Sequence, residues 1–437
     1  MMDKVTAAGP WTLSAAEAAA RIAAGTLTAE ALAQSLLDRI ADRDAAVQAW
    51  AFLDPELVLA QARAADRMPR RGPMHGIPVG LKDVIDTFDM PTQCNSPIYA
   101  GRRPYADAAC AALVRQAGGI IMGKTVTTEF ANRHPGPTRH PQDPARTPGG
   151  SSSGSAAAVA DGQVPLAIGT QTSGSIIRPA AFCGIIGYKP SFGEMSRVGV
   201  FQQSGSLDTL GLCARTLEDV ALLRAVLARI PYDPVQPADR PPRLALCRTP
   251  QWRQASPAAQ AALERAATIL SEAGAPVAVL DLPSPLFDDW LADHRRIANF
   301  EAARNLGHER HLHREKLSKA LAEGRIRDGE ACRLEDYVAS QRRAETMRAW
   351  AEDLLANADA ILTLAAADEA GDSTKETGSA TFNSLWTLLY SPCLTIPFGI
   401  GASGLPLGLQ IVGQRHEDER LLSVAAWAQR VLTATVR

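Results

Sequence analysis

No run of about 18 consecutive apolar residues occurs in this 437-residue chain, so a membrane-spanning helix is not expected. A surplus of one charge is missing too: 45 Lys and Arg face 47 Asp and Glu, for a net charge of −2. With no global field, neither nucleic acid nor a membrane is an expected partner. Paired cysteines are absent. The seven, Cys94, Cys110, Cys183, Cys213, Cys247, Cys332 and Cys393, are scattered with no CxxC spacing. That argues against a disulfide framework or a cysteine zinc site and fits a reducing compartment. Met1-Met2-Asp3-Lys4-Val5 lacks a basic segment leading into an apolar run, so no signal peptide is expected and the cytoplasm is the expected location. Internal repeats and low-complexity tracts are also lacking. What remains is an ordinary globular composition, 46% hydrophobic and 21% charged, in a chain long enough for a large core.

Residues 12–70 read as helices. Ser14 and Glu17 have capping-box spacing before an Ala-rich run, and Gly25 suits its stop. A second helix follows Thr28, with Leu32, Leu36, Leu37 and Ile40 on one face. From residue 76 the pattern changes. Ile77–Leu81 reads as a short strand reaching Lys82, 107–117 as a helix, and 119–123 and 164–169 as buried strands. Farther on, 243–247 and 276–281 read as strands flanking a helix at about 257–273. Residues 290–350 are a charge-rich helical layer holding His294, His308, His311 and His313. The tail returns to strands at 394–399 and 407–413 and a helix from Glu417. Alternation of this kind implies an α/β fold.

Two Gly/Ser loops flank one predicted strand: Gly149-Gly150-Ser151-Ser152-Ser153-Gly154-Ser155 and Gly169-Thr170-Gln171-Thr172-Ser173-Gly174-Ser175. Such loops let backbone approach a ligand closely. On composition alone they are as readily flexible connectors. The apolar segments framing both argue against free linkers.

At these residues the chain resembles the amidase signature family. The resemblance is carried by Gly76-Ile77-Pro78-Val79-Gly80-Leu81-Lys82-Asp83, by Gly123-Lys124-Thr125 with Glu129-Phe130, and by Pro148-Gly149-Gly150-Ser151-Ser152. It continues from Pro165 to Pro190 and through Gly404–Gly413. It spans roughly 12–230 and 380–435 and is weak over 240–380. It implies one amidase domain over 1–437: helices at 12–70, a signature core at 71–235, a variable substrate-side region at 240–380 and a return to the core at 381–437. The implied architecture is a single large mixed, mostly parallel β-sheet surrounded by α-helices, with a pocket roofed partly by 285–350.

The resemblance also implies a Ser–Ser–Lys triad: Ser175 as nucleophile, Ser151 as bridging serine after a cis peptide bond, and Lys82 as base. A serine hydroxyl needs a neighbouring base to become nucleophilic. A lysine serves only when neutral, which burial favours. The N–H groups of Thr172, Ser173, Gly174 and Ser175 are candidates for an oxyanion hole. Pro179 fits the first turn of a helix whose N-terminus adds to that field. No cofactor and no metal are implied. The partner is a small-molecule amide substrate, with a homodimer left open and esters or carbamates as alternative substrates.

The chain departs from the family's Asp-x-Gly-Gly-Ser-x-Arg pattern. Gln171 replaces the acid, Ser173 replaces a glycine, and Arg178 falls one position late. This variant resembles the branch containing malonamidase-type enzymes. Arg178 is either a clamp for a substrate carboxylate or a structural arginine. Ser153 also stands where glycine is commoner in the family.

Rival motifs are weaker. Gly118–Thr125 fits GxxxxGK[ST], but a helical pattern precedes it and Ile120-Ile121-Met122 suits a buried strand. Gly150–Gly154 fits GxSxG, but Arg146-Thr147-Pro148-Gly149 precedes it instead of a strand. His308, His311 and His313 match no zinc signature and read as a solvated face. His75 and His134 read as structural, Cys183 as a small buried residue, and Asp83 as organising Lys82 or capping backbone N–H groups. A different class also stands open: a partner-dependent amidotransferase subunit of the kind that makes glutaminyl-tRNA.

Overall fold

The N-terminal helices begin where their caps dictate. In the computed structural model, which describes residues 9–372 and 374–435, Ser14 accepts from the Glu17 N–H and Glu17 answers the Ser14 N–H, closing a capping box on helix Ala15–Ala23. Thr28 caps Ala29–Val47, which buries Leu32, Leu36, Leu37 and Ile40 as their spacing requires. The Met1–Val5 stretch lies outside the described residues.

Among the described residues, eleven strands form one sheet. They are β1 (Trp50–Leu53), β2 (Pro78–Lys82), β3 (Ile120–Thr125), β4 (Leu166–Gln171), β5 (Ile186–Lys189), β6 (Thr209–Ala214), β7 (Leu244–Cys247), β8 (Val277–Leu280), β9 (Ala360–Leu364), β10 (Cys393–Ile400) and β11 (Pro406–Val412). Their spatial order is β1-β3-β2-β4-β6-β5-β10-β11-β9-β7-β8. The sheet is large, mixed and wrapped by helices, as expected, but its expected parallel majority is not found. Four neighbouring pairs are parallel (β2–β3, β2–β4, β7–β8, β7–β9) and six are antiparallel. The cause is local: the chain returns through the middle of the sheet as β5, β6 and the β10–β11 hairpin, and every pair there is antiparallel.

The central strands β2, β3, β4 and β6 are buried along their whole length. They therefore read as continuous small and apolar runs rather than alternations. No helix among the described residues is long and apolar enough to cross a membrane.

The parallel pair β2–β4 sets the site. Register Val79↔Leu166, Gly80↔Ala167 and Leu81↔Ile168 brings the ends of both strands to the same edge. Lys82 thus emerges beside Thr170. Helix Ser153–Ala160 sits over β2, β3 and β4, all its residues but the last buried. It comes this close because Gly154 has no side chain: a Cβ there would lie 2.4 Å from the Ala49 carbonyl oxygen and the Val126 nitrogen.

The middle region folds as helices Trp290–Asn305, Gly307–Leu312 and Leu334–Leu355. Glu301 ties this layer to the core by accepting from the Ser206 N–H (3.0 Å), the Ser206 hydroxyl (2.7 Å) and the Tyr337 hydroxyl (2.7 Å).

Candidate active site

Lys82 is fully buried and donates to the Ser151 and Thr170 hydroxyls, each at 2.7 Å. No carboxylate among the described residues contacts its amine. Burial therefore pushes its pKa down to about 7, against a weaker opposing pull from Asp208. An amine that sheds its proton near neutrality and already touches a serine hydroxyl can take a proton from it.

Ser151 is buried and follows two glycines with positive φ, Gly149 (81°) and Gly150 (64°). That double turn carries the chain into Ser151 through a trans bond. The cis bond expected before Ser151 is not present; the cis peptide among the described residues is Ser284–Pro285. Gly150 also lets the second loop close in, since a Cβ there would lie 3.3 Å from Ser175 Cα and 2.7 Å from the Pro179 ring. The loops holding Ser151 and Ser175 are thus in van der Waals contact. Ser175 is half-buried, and its hydroxyl makes no hydrogen bond to a described residue.

The Ser175 loop leaves the end of β4 and turns into helix Ile177–Cys183. Gln171 organises that turn: its side-chain oxygen accepts from Ile176 N (2.9 Å) and Ile177 N (3.1 Å), while its amide donates to the Thr387 hydroxyl. A neutral amide thus satisfies the helix N-terminus without placing a charge there. Among the described residues, the N–H groups of Ser173, Gly174 and Ser175 find no acceptor. Gly174 is wedged against Asn383, whose Oδ1 would lie 2.3 Å from a Cβ.

Arg178 is 5% exposed. Its Nε is buried with no hydrogen-bond partner, and no acid among the described residues opposes its charge. The structural reading, an arginine bonded to backbone carbonyls, fails on this point.

The sequence did not reveal the residues that support these loops. Asp208 accepts from the Thr172 hydroxyl (2.5 Å) and from Gln203 N and Ser204 N. His294, in the middle-region layer, lies 3.0 Å from the Thr172 carbonyl oxygen and 3.4 Å from Ser173 Oγ. Burial pushes its pKa down to about 4, so the ring is neutral and donates to that carbonyl. Thr387 donates to the Ser173 carbonyl. Asp208 and Thr387 lie in stretches quoted for no motif, and His294 reads like its solvated neighbours.

Other candidates fall where their surroundings put them. Lys124, on β3, donates to the Ile85 carbonyl and the Thr92 hydroxyl, each 2.6 Å, so the phosphate-loop pattern is a buried strand. Asp83 accepts from Gln93 N, the capping alternative. His75 lies 3.0 Å from the Ala65 carbonyl oxygen. Cys183 is buried, and burial pushes its thiol pKa up. His308 and His311 stand in the charged middle layer, with His311 exposed.

The family model described as Amidase matches residues 31–422. The chain belongs to the amidase family. It is 35% identical, over 96% of either chain, to the A subunit of glutamyl-tRNA(Gln) amidotransferase from Chloroflexus aggregans. Among solved structures it is similar to a crystal structure described only as an amidase, with 29% identity, 96% and 100% coverage and a TM-score of 0.88. It is also similar to the peptide amidase of Stenotrophomonas maltophilia, with 30% identity, 97% coverage of each chain and a TM-score of 0.82. Within the amidase family, these curated relatives carry the amidotransferase name, not that of the malonamidase-type branch expected from the Ser175 motif.

Proposed function

We propose that this amidase-family chain cleaves a carboxamide through an acyl-enzyme, with Ser175 as nucleophile, Ser151 as proton bridge and Lys82 as base. The observation that carries the reading is the buried Lys82 amine, 2.7 Å from the Ser151 hydroxyl and paired with no acid among the described residues. The Ser175 oxygen attacks the amide carbon as its proton passes to Ser151, whose own proton passes to neutral Lys82. The oxyanion forms against the N–H groups of Thr172, Ser173, Gly174 and Ser175. Collapse breaks the C–N bond, and the proton held by Lys82 returns through Ser151 to the leaving amine. Water, deprotonated by the same relay, then frees the carboxylate and restores Ser175. The Ser175–Ser151 hydrogen bond that the relay needs is one that forms when substrate binds. No cofactor enters, and Arg178 faces the substrate.

A second reading has its own support: the curated relatives are named as amidotransferase subunits. In that reading the same acyl-enzyme forms from glutamine, and activity depends on partner subunits. The neutral Gln171 and displaced Arg178 favour the independent hydrolase, resembling the malonamidase-type branch.

Release of ammonia from primary amides, of the aryl amine from anilides and of the amine or alcohol from carbamates, by wild type and Ser175→Ala, tests the scheme. Activity is expected in the purified wild type and lost in the variant. Residual turnover in Ser175→Ala would remove Ser175 as nucleophile. Turnover of glutamine only once partner subunits have been supplied would select the second reading.

A further inference from the structure

A stack of rings and arginines stands apart from the amide chemistry. Phe192, just past β5, lies face to face with Tyr390, just before β10, with ring centroids 4.1 Å apart. The Arg348 guanidinium, from helix Leu334–Leu355, covers the other face of Tyr390 at 3.6 Å. Arg415, just past β11, lies 5.2 Å from the same ring, and Arg197 lies 5.0 Å from Phe192. Burial raises the Tyr390 pKa, and the charges of Arg348, Arg415 and Arg197 all oppose that rise, so their fields meet at its hydroxyl.

The tyrosine is placed here at a cost. It follows helix Thr381–Leu388 with φ 63°, the left-handed position that usually falls to glycine. Its hydroxyl bonds to no described residue. Arg348 donates through Nε to the Leu388 carbonyl (2.9 Å), and Arg415 donates to no described residue. Each also keeps a buried N–H without a partner, Arg348 at Nη2 and Arg415 at Nε. Among the described residues no carboxylate is ion-paired with either. Of the acids whose charges reach Arg348, Glu301 is held by Ser204, Ser206 and Tyr337, and Glu345 is exposed on the same helix.

Unmatched guanidinium N–H groups are costly, and a second cation beside the same ring adds to the cost. An anion reverses that sign. The π faces take up the flat sides of the guanidiniums and leave their N–H edges to donate. Two guanidiniums and a phenol hydroxyl offer donors to three oxygens, which suits phosphate better than a carboxylate with two. Topology sets the place. The antiparallel pairs β4–β6, β6–β5 and β5–β10 bring the end of β5 and the start of β10 to the edge where β4 ends. β10 is three strands from β4, roughly 14 Å across the sheet.

We propose that Arg348, Arg415 and the Tyr390 hydroxyl bind the phosphate group of a small ligand, at a site on the catalytic edge separate from the one that holds the amide. This stands independently of the amide-cleaving reading.

Calorimetry on the full-length protein tests it, with inorganic phosphate, pyrophosphate and a single-stranded RNA of about 12 nucleotides as probes. Wild type should bind phosphate or pyrophosphate with a Kd of about 1 mM or tighter. Arg348→Gln and Arg415→Gln should each weaken binding about tenfold or more. Tyr390→Phe keeps the ring stack and removes one donor, and should weaken it about fivefold. Arg342→Gln, at an exposed arginine on the same helix, should leave it unchanged. No binding at about 10 mM, or a loss in Arg342→Gln equal to that in Arg348→Gln, overturns the site. Unchanged affinity in the Arg348, Arg415 and Tyr390 variants overturns it too. So does RNA binding that depends on Arg348 while neither phosphate nor pyrophosphate binds, since the surface would then be a nucleic-acid contact.

Discussion

Lys82 owes its proposed role to what is missing around it. An ordinary lysine stays charged to about pH 10, but burial brings this one to about 7. The sign of the pH effect follows. The reactive form is the neutral amine, so kcat/KM should climb with pH through an apparent pKa near 7 and level off above it, as ammonia release across a pH series would show. A rate that stays flat down to about pH 5 would remove Lys82 as the base. Gly174 supports a second expectation. A methyl group there would strike Asn383 Oδ1, displacing the N–H groups of the proposed oxyanion hole. Gly174→Ala should lower kcat by about 100-fold, and the double variant with Asn383→Ala should recover part of the loss.

Among the elements, the legible ones were those with punctuation. Ser14, Thr28 and Gly25 mark the first two helices, and β2, β3, β4, β10 and β11 are apolar runs close to where the sequence puts them. Those that escaped have no such marks. β6, Thr209-Leu210-Gly211-Leu212-Cys213-Ala214, is buried on both faces and shows no alternation. β5 carries a glycine and a buried lysine in four residues, and β1 is a short strand at the sheet's edge. The residues of the proposed triad could be singled out because they sit in linear motifs. Asp208 and His294 could not, because their meaning comes from partners 36 and 122 residues distant. Helix Trp290–Asn305 supplies the prediction at this scale. His294→Ala frees the Thr172 carbonyl and should lower kcat about tenfold, with His294→Gln, which keeps a donor, recovering most of it. Equal loss in both variants would indicate a packing role instead.

For the molecule as a whole, one sheet joins the N-terminal, central and C-terminal thirds of the chain, with β6 and β5 bridging the β2–β4 half to the β10–β11 half. Leu212, at the centre of β6, is fully buried. Leu212→Ala should cost about 2–5 kcal/mol, read as a lower urea midpoint, because a cavity there loosens both halves. The bond from His294 to the Thr172 carbonyl has one more implication. It crosses from the stretch with the weakest family likeness to the loop that holds Ser175. A chimera that borrows the 285–350 layer from another amidase would therefore import a new grip on the Ser175 loop, and grafting that layer should change turnover of the proposed reaction.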